Sequence, residues 1–155
     1  MSKAGAPALT PDGHGRHVVI VAASWHDTIM DALVAGAQRA LDAAGATHEL
    51  LRVPGSFELP LGALRAAESA DGVVALGTVI RGGTPHFEYV CQAATQGLMD
   101  VSLRTEKPVG FGLLTCDDEQ QALDRSGLPG SSEDKGAEAA EAVVSLLAAL
   151  PAPTV

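Results

Sequence analysis

The sequence predicts an α/β protein, a three-layer α/β/α sandwich around a four-stranded parallel sheet. Short apolar runs of strand length alternate with longer segments whose apolar residues recur every three or four positions. The first run, 17–24, is nearly continuous in apolar character, the signature of a strand covered on both faces. The strand-to-helix alternation repeats along the chain, and right-handed crossovers turn such a pattern into one parallel sheet with helices on its faces.

The first strand is 17–24 (HVVIVAAS), and a helix follows over 26–44, with Ile29, Leu33, Ala37 and Leu41 four residues apart and Gly45 as its stop. Thr47–Val53 reads as the second strand and 57–69 as a helix. Asp71 and Gly72 lead into a third strand at 73–79, and the helix 86–103 carries Phe87, Val90, Cys91, Ala94, Leu98 and Val101 on one stripe. A fourth strand at 108–115, a short helix at 118–126 and a last helix at 133–150 complete the chain. Such a sheet is a truncated flavodoxin-like one, which binds ligands at the carboxyl ends of its strands. Ahead of it, 1–16 reads as a flexible arm, rich in Pro7, Pro11, Gly5, Gly13 and Gly15, so 17–155 forms the single domain.

Composition narrows the function classes. At 155 residues, 46% apolar and 19% charged, the chain buries one core and is not a disordered tail. A net charge of −9 repels nucleic-acid phosphates and anionic lipid, so neither is an expected partner. No apolar run approaches the ~20 residues of a membrane span, and residues 1–15 lack a basic-then-apolar signal, so a cytoplasmic location is expected. Cys91 and Cys116 form neither a disulfide framework nor a metal-binding spacing, and no metal is expected. Cys91 reads as inert core on its stripe, Cys116 as the more exposed of the two.

Trp25, Phe57, Phe87 and Tyr89 all follow closely on a predicted strand, and only Phe111 of the five aromatics lies within one. Aromatics gathered on one rim either stack a flat ligand or plug the top of the core. In Arg81-Gly82-Gly83-Thr84-Pro85-His86, two glycines allow close backbone approach, Thr84 caps a helix and Pro85 suits its first position. The free N–H groups there make an anion site, and His86 beside it is placed for proton transfer. The loop lacks the lysine of a nucleoside-triphosphate loop. Glu58, in the first turn after the second strand, serves either the helix dipole or the hydroxyls of a polyol. Arg125 and Lys135 are the only cations among eight acids between Asp117 and Glu141. Arg125 either pairs with Asp118 or Asp124 or offers its fork to a phosphate. His14, His17, His26 and His48 lack ligand spacing and read as surface or strand-edge residues.

The strings VPGSFELP (53–60), ALGTVIRGGTPHFEYV (75–90), GLL (112–114), ALDRSG (122–127) and EDKGAEAA (133–140) together resemble the 6,7-dimethyl-8-ribityllumazine synthase family of riboflavin biosynthesis. The resemblance implies condensation of 5-amino-6-(D-ribitylamino)uracil with 3,4-dihydroxy-2-butanone 4-phosphate, releasing phosphate and water, with no cofactor. It implies that Trp25 stacks on the pyrimidine, that Ser56, Phe57 and Glu58 hold the uracil compound, and that Thr78, Val79 and Ile80 bind the heterocycle through their backbone. Gly83 and Thr84 match the phosphate turn, and His86 the proton-transfer residue. Phe111 and Arg125 match groups supplied by a neighbouring subunit, and Lys135 a cation near the phosphate. The Trp25-His26 pair departs from the family's commoner Phe-Asn, and Cys116-Asp117 from its threonine-rich stretch.

A homo-oligomer with shared sites follows from the resemblance, and riboflavin synthase is implied as a partner. The turn from Arg125 to Lys135 is longer than the compact one of shell-forming members, which favours a pentamer. The competing readings are a lumazine-synthase-like riboflavin synthase and a non-catalytic lumazine or flavin carrier. A phosphate turn and Arg125 argue against the former, since its reaction handles no phosphate. An FMN-binding flavodoxin module would need a Ser/Thr/Gly-rich turn after the first strand, where Ser24-Trp25-His26-Asp27 stands.

Overall fold

Strand β1 (His17–Ala23) lies inside the sheet, paired with β2 (Thr47–Val53) on one side and β3 (Gly72–Ile80) on the other; β4 (Val109–Cys116) lies beyond β3. All neighbours are parallel, with His17 opposite Thr47, Val18 opposite Gly72 and Val73 opposite Val109. This is the expected α/β sandwich. The computed structural model describes residues 4–151; residues 1–3 of the expected arm and 152–155 of the expected domain lie outside the described residues.

Side-chain alternation along β1 divides the interior into two cores. Val18, Ile20 and Ala22 pack with α1 (Asp27–Ala44) and α5 (Lys135–Ala149), joined by Ala122 of the short α4 (Glu119–Leu123). Val19 and Val21 point the other way, toward α2 (Leu59–Ala66) and α3 (His86–Thr105). Burial on both faces explains why β1 and β3 read as unbroken apolar runs. Edge strand β2 differs, with Leu50 41% and Leu51 39% exposed. The outer faces of α2 and α3 also expose Leu61, Leu64, Met99 and Leu103.

Several predicted boundaries move, each for a local reason. The expected helix 57–69 divides into a 3-10 turn (Ser56–Glu58) and α2, because Pro60 lacks an N–H and fits only the first turn of a helix. Asp118 caps α4 by accepting the Gln121 N–H at 2.9 Å, and Asp134 caps α5 by accepting that of Ala137 at 3.0 Å, so both helices begin after these acids. His26 adopts a left-handed conformation with φ 62°, which delays α1 to Asp27. The cysteines exchange their expected places. Cys116 is buried in the α1/α5 core, while Cys91 is half-buried, preceding Ala94, where the buried stripe of α3 begins. At the chain start, residues 4–10 are exposed, and Gly13 is buried with its N–H donating to Ala44 O at 2.8 Å.

Helices α1 and α5 dock through glycines. A Cβ on Gly136 would overlap the Leu33 carbonyl oxygen, and one on Gly36 would strike the Asp134 carboxylate. That carboxylate also accepts from Arg39 Nη2 at 2.9 Å. Replacing a helical glycine by alanine ordinarily stabilises by about 1 kcal/mol. At Gly136 the overlap is with backbone, so Gly136→Ala is expected instead to destabilise by about 1–3 kcal/mol. Urea unfolding of the variant against the parent checks the sign.

Candidate active site

Strand order reverses around β1, since the chain leaves it for β2 on one side and returns for β3 on the other. The loops beyond these strands diverge there and leave a crevice at their carboxyl ends. A cleft of about 540 Å3 occupies that position, lined by Trp25, His26, Gly55, Ser56, Phe57, Glu58, Thr78, Val79, Ile80, His86 and Val90.

The floor is fixed and the rim is free. Thr78 is buried and its hydroxyl donates to Met30 Sδ at 3.3 Å, so its side chain is engaged in the core. Ser56 is buried beside β3, occupying space that Gly77 leaves open; a Cβ there would stand 2.6 Å from Ser56 Oγ. The ends of β1 and β2 are tied together, with Ser24 Oγ donating to Val53 O at 2.8 Å. Above this floor Trp25 is 69% and Phe57 62% exposed, both rings standing at the rim instead of plugging the core. Trp25 and Glu58 flank Gly55: a Cβ there would meet Glu58 Oε2 at 3.1 Å and Trp25 Nε1 at 3.6 Å. An aromatic face and a carboxylate thus border one patch of backbone.

His86 opens α3 and reaches the cleft, but the turn before it does not follow the expected capping. Pro85 occupies the N-cap position itself, not the first helical one, and Thr84 Oγ1 accepts from the His86 N–H at a long 3.5 Å. Gly83 and Thr84 are exposed beside the cleft without lining it. Arg81 begins the turn; hydrogen bonds to Asp117 and Glu88 hold its guanidinium above its ordinary pKa. The bond from Arg81 holds the Glu88 carboxyl below its own ordinary value.

Phe111, Arg125 and Lys135 lie outside this cleft. Phe111 is 52% exposed on β4, the strand farthest from β2. Arg125 makes no ion pair among the described residues, neither with Asp118 nor with Asp124; Nη1 donates to Gln121 O at 2.7 Å. Lys135 Nζ sits between Glu133 at 2.7 Å and Glu138 at 2.6 Å. Burial pushes its ammonium down, but the hydrogen bonds to the two carboxylates outweigh this and leave its pKa raised. Among the described residues no cluster of three metal-binding side chains occurs, and no helix is long and apolar enough to cross a membrane.

His26 is exposed, as a surface residue should be, and it also borders the cleft, a place the sequence reading did not give it. Its position directly after Trp25, at the end of the first apolar run, was the available signal. Gly55 and Val90 also line the cleft, and the sequence marked them only as parts of longer segments.

Aromatic rings and a carboxylate around a crevice at the carboxyl rim of a parallel sheet define a small-molecule site of the α/β class. The model of the 6,7-dimethyl-8-ribityllumazine synthase family matches residues 15–150. A 6,7-dimethyl-8-ribityllumazine synthase of Clavibacter sepedonicus is 66% identical over 148 residues, covering 93% of this chain and 92% of that protein. Those of Leifsonia xyli subsp. xyli (strain CTCB07) and Kocuria rhizophila are 62% and 63% identical, covering 97% and 94% of this chain and 97% and 96% of theirs. The chain belongs to the 6,7-dimethyl-8-ribityllumazine synthase family, a family of enzymes.

The Glu133–Lys135 pair generates a pH prediction. Its ion pair with Lys135 lowers the Glu133 pKa from 4.5, so the folded state holds the proton less tightly than the unfolded chain. The resulting stabilisation is full above 4.5 and is lost as pH falls through the lowered folded value. The stability advantage of the parent over Glu133→Gln is therefore expected to be greatest near neutrality and to shrink progressively below pH 4.5. Urea unfolding across that range measures it.

Proposed function

We propose that this cleft condenses 5-amino-6-(D-ribitylamino)uracil with 3,4-dihydroxy-2-butanone 4-phosphate to give 6,7-dimethyl-8-ribityllumazine, phosphate and water. The observation that carries the reading is that His86, the Trp25 and Phe57 rings and the Glu58 carboxylate meet at one cleft beside a glycine-rich helix entry. A single site of this kind holds a flat ring, a polyol and a phosphorylated chain together, and holding two reactants in register is itself a large part of catalysis.

In this reading Trp25 stacks on the pyrimidine, Phe57 and Ser56 hold its edge and Glu58 accepts hydrogen bonds from the ribityl hydroxyls. The backbone of Thr78, Val79 and Ile80 pairs with the heterocycle. The phosphate rests on the N–H groups of the Gly83–Thr84 turn. The uracil's 5-amine attacks the butanone carbonyl and one water leaves as the imine forms. Proton loss next to the imine expels phosphate, with His86 moving the proton. The ribitylamino nitrogen then closes the ring onto the remaining carbonyl, and a second water departs. Proton transfer by one imidazole assists a reaction that proximity already promotes.

Phe111, Arg125 and Lys135 serve the neighbouring subunit's cleft, Phe111 against the ring and the two cations near the phosphate. Support comes from their lying outside the lining of the chain's own cleft and from an Arg125 fork that pairs with no carboxylate among the described residues. The apolar residues exposed on α2, α3 and β2 supply surface for such an assembly. We assign five copies, because −9 per chain and the long turn before Lys135 oppose the packing of a larger shell. The enzyme works in the cytoplasm, with 17–155 as its catalytic unit behind the arm 1–16 and riboflavin synthase as its product-consuming partner.

Purified protein mixed with the two substrates is expected to release phosphate and form fluorescent lumazine. His86→Ala is expected to lower turnover roughly tenfold to thousandfold with assembly intact; unchanged turnover in the folded variant overturns the role of His86. The particle should sediment near five times the 15.7 kDa chain. Reassembly of mixed His86→Ala and Arg125→Ala subunits should raise activity above that of either parent assembly; no such gain, where wild-type subunits survive the same treatment, excludes a shared site.

A further inference from the structure

The loop that carries the anion turn has little to hold it. Beyond the adjoining residues, no atom of the described structure lies within 4 Å of where a Cβ would stand on Gly82 or Gly83, and residues 81–86 are exposed. Two adjacent glycines give the backbone its widest freedom, and freedom lost on binding is subtracted from affinity. One side chain bridges this loop. Arg81 sends Nη1 to Glu88 Oε1 in the first turn of α3, and Nε to Asp117 Oδ1 just beyond β4 at 2.8 Å. Its guanidinium carbon lies 4.3 Å from the centroid of the Phe87 ring, and its backbone N–H donates to Cys116 O at 2.9 Å. The start of the loop, the start of α3 and the end of β4 therefore meet at one guanidinium. Phe87 and Glu88 directly follow His86, so what fixes them also fixes the backbone from which the imidazole projects.

We propose that Arg81 is a positioning residue: without touching substrate, it holds the Gly83–Thr84 turn and His86 in the arrangement that receives the phosphate-bearing substrate. The proposal rests on the function assigned above. Arg81 faces two carboxylates and a ring, so its charge is engaged in the clamp and not offered to the phosphate. Exposed ion pairs contribute little to global stability, so loss of the clamp acts on the turn and leaves the fold standing. A lysine presents one point charge where arginine presents a planar fork that also stacks, so it replaces only part of the clamp.

The test is steady-state kinetics on the whole enzyme with each substrate varied in turn, alongside thermal melting. For Arg81→Gln the KM for the butanone phosphate is expected to rise about tenfold and that for the uracil substrate less than about twofold, with little change in Tm. Arg81→Lys is expected to recover part of that loss. Glu88→Gln and Asp117→Asn each give a smaller rise in the same KM, and neither adds to Arg81→Gln, since the three groups act as one unit. These two variants carry the test should Arg81→Gln not fold. Equal rises in both KM values, an unchanged KM for the phosphate substrate, or additive effects overturn the proposal while leaving the functional reading intact. A wild-type protein that forms no lumazine overturns that reading and this proposal together.

Discussion

Parallel strands force the chain to re-enter the sheet always from the same end, and the architecture follows from that requirement. Each strand must hand over to a helix at one rim and receive the chain back at the other. The rim at the carboxyl ends therefore collects the strand-to-helix loops and helix N-termini, with their unpaired N–H groups. Reversal of strand order around β1 separates two of those loops and makes room between them. Trp25, Phe57, Glu58 and His86 come from segments far apart in sequence, yet each stands within a few residues of a strand end or helix start. Their exposure is tolerable because the core begins immediately beneath them, at Ala23, Leu59 and Thr78.

The other side of the molecule depends on the close approach of α1 and α5. Asp134 caps α5, pairs with Arg39 of α1 and fills space that Gly36 and Gly127 leave vacant. A single carboxylate thus seats the last helix and the turn before it. Ser126 is fully buried in that turn, and its hydroxyl and that of Ser131 both donate to Leu123 O, at 2.8 and 2.6 Å. Arg125 and Lys135 consequently project from a braced segment.

Much of this was legible in the sequence. The two-sided burial of β1 and β3 erases alternation and leaves unbroken apolar runs, and α1 carries a regular stripe, so both were readable. Less readable was anything decided by one residue's local geometry. Pro60 moved a helix start and the left-handed His26 delayed another. At the site, Trp25, Phe57, Glu58 and His86 announced themselves by following strands. His26 did not, because its left-handed backbone is a local choice that periodicity does not anticipate. The cysteines were misplaced for a related reason: a helical stripe says which residues share a face, not how far along the helix the covering layer extends. The Arg81 clamp joins groups distant in sequence, and no spacing rule reports it.

Trp25 is the single tryptophan of the chain and stands at the cleft rim, 69% exposed. Its indole is therefore the dominant ultraviolet emitter, and it begins in a wet environment. A flat ring laid against it would displace water and offer an acceptor for its excitation. The protein thus carries its own optical reporter at the rim of the cleft. Occupancy of the cleft is open to observation without a label, and without the reaction proceeding.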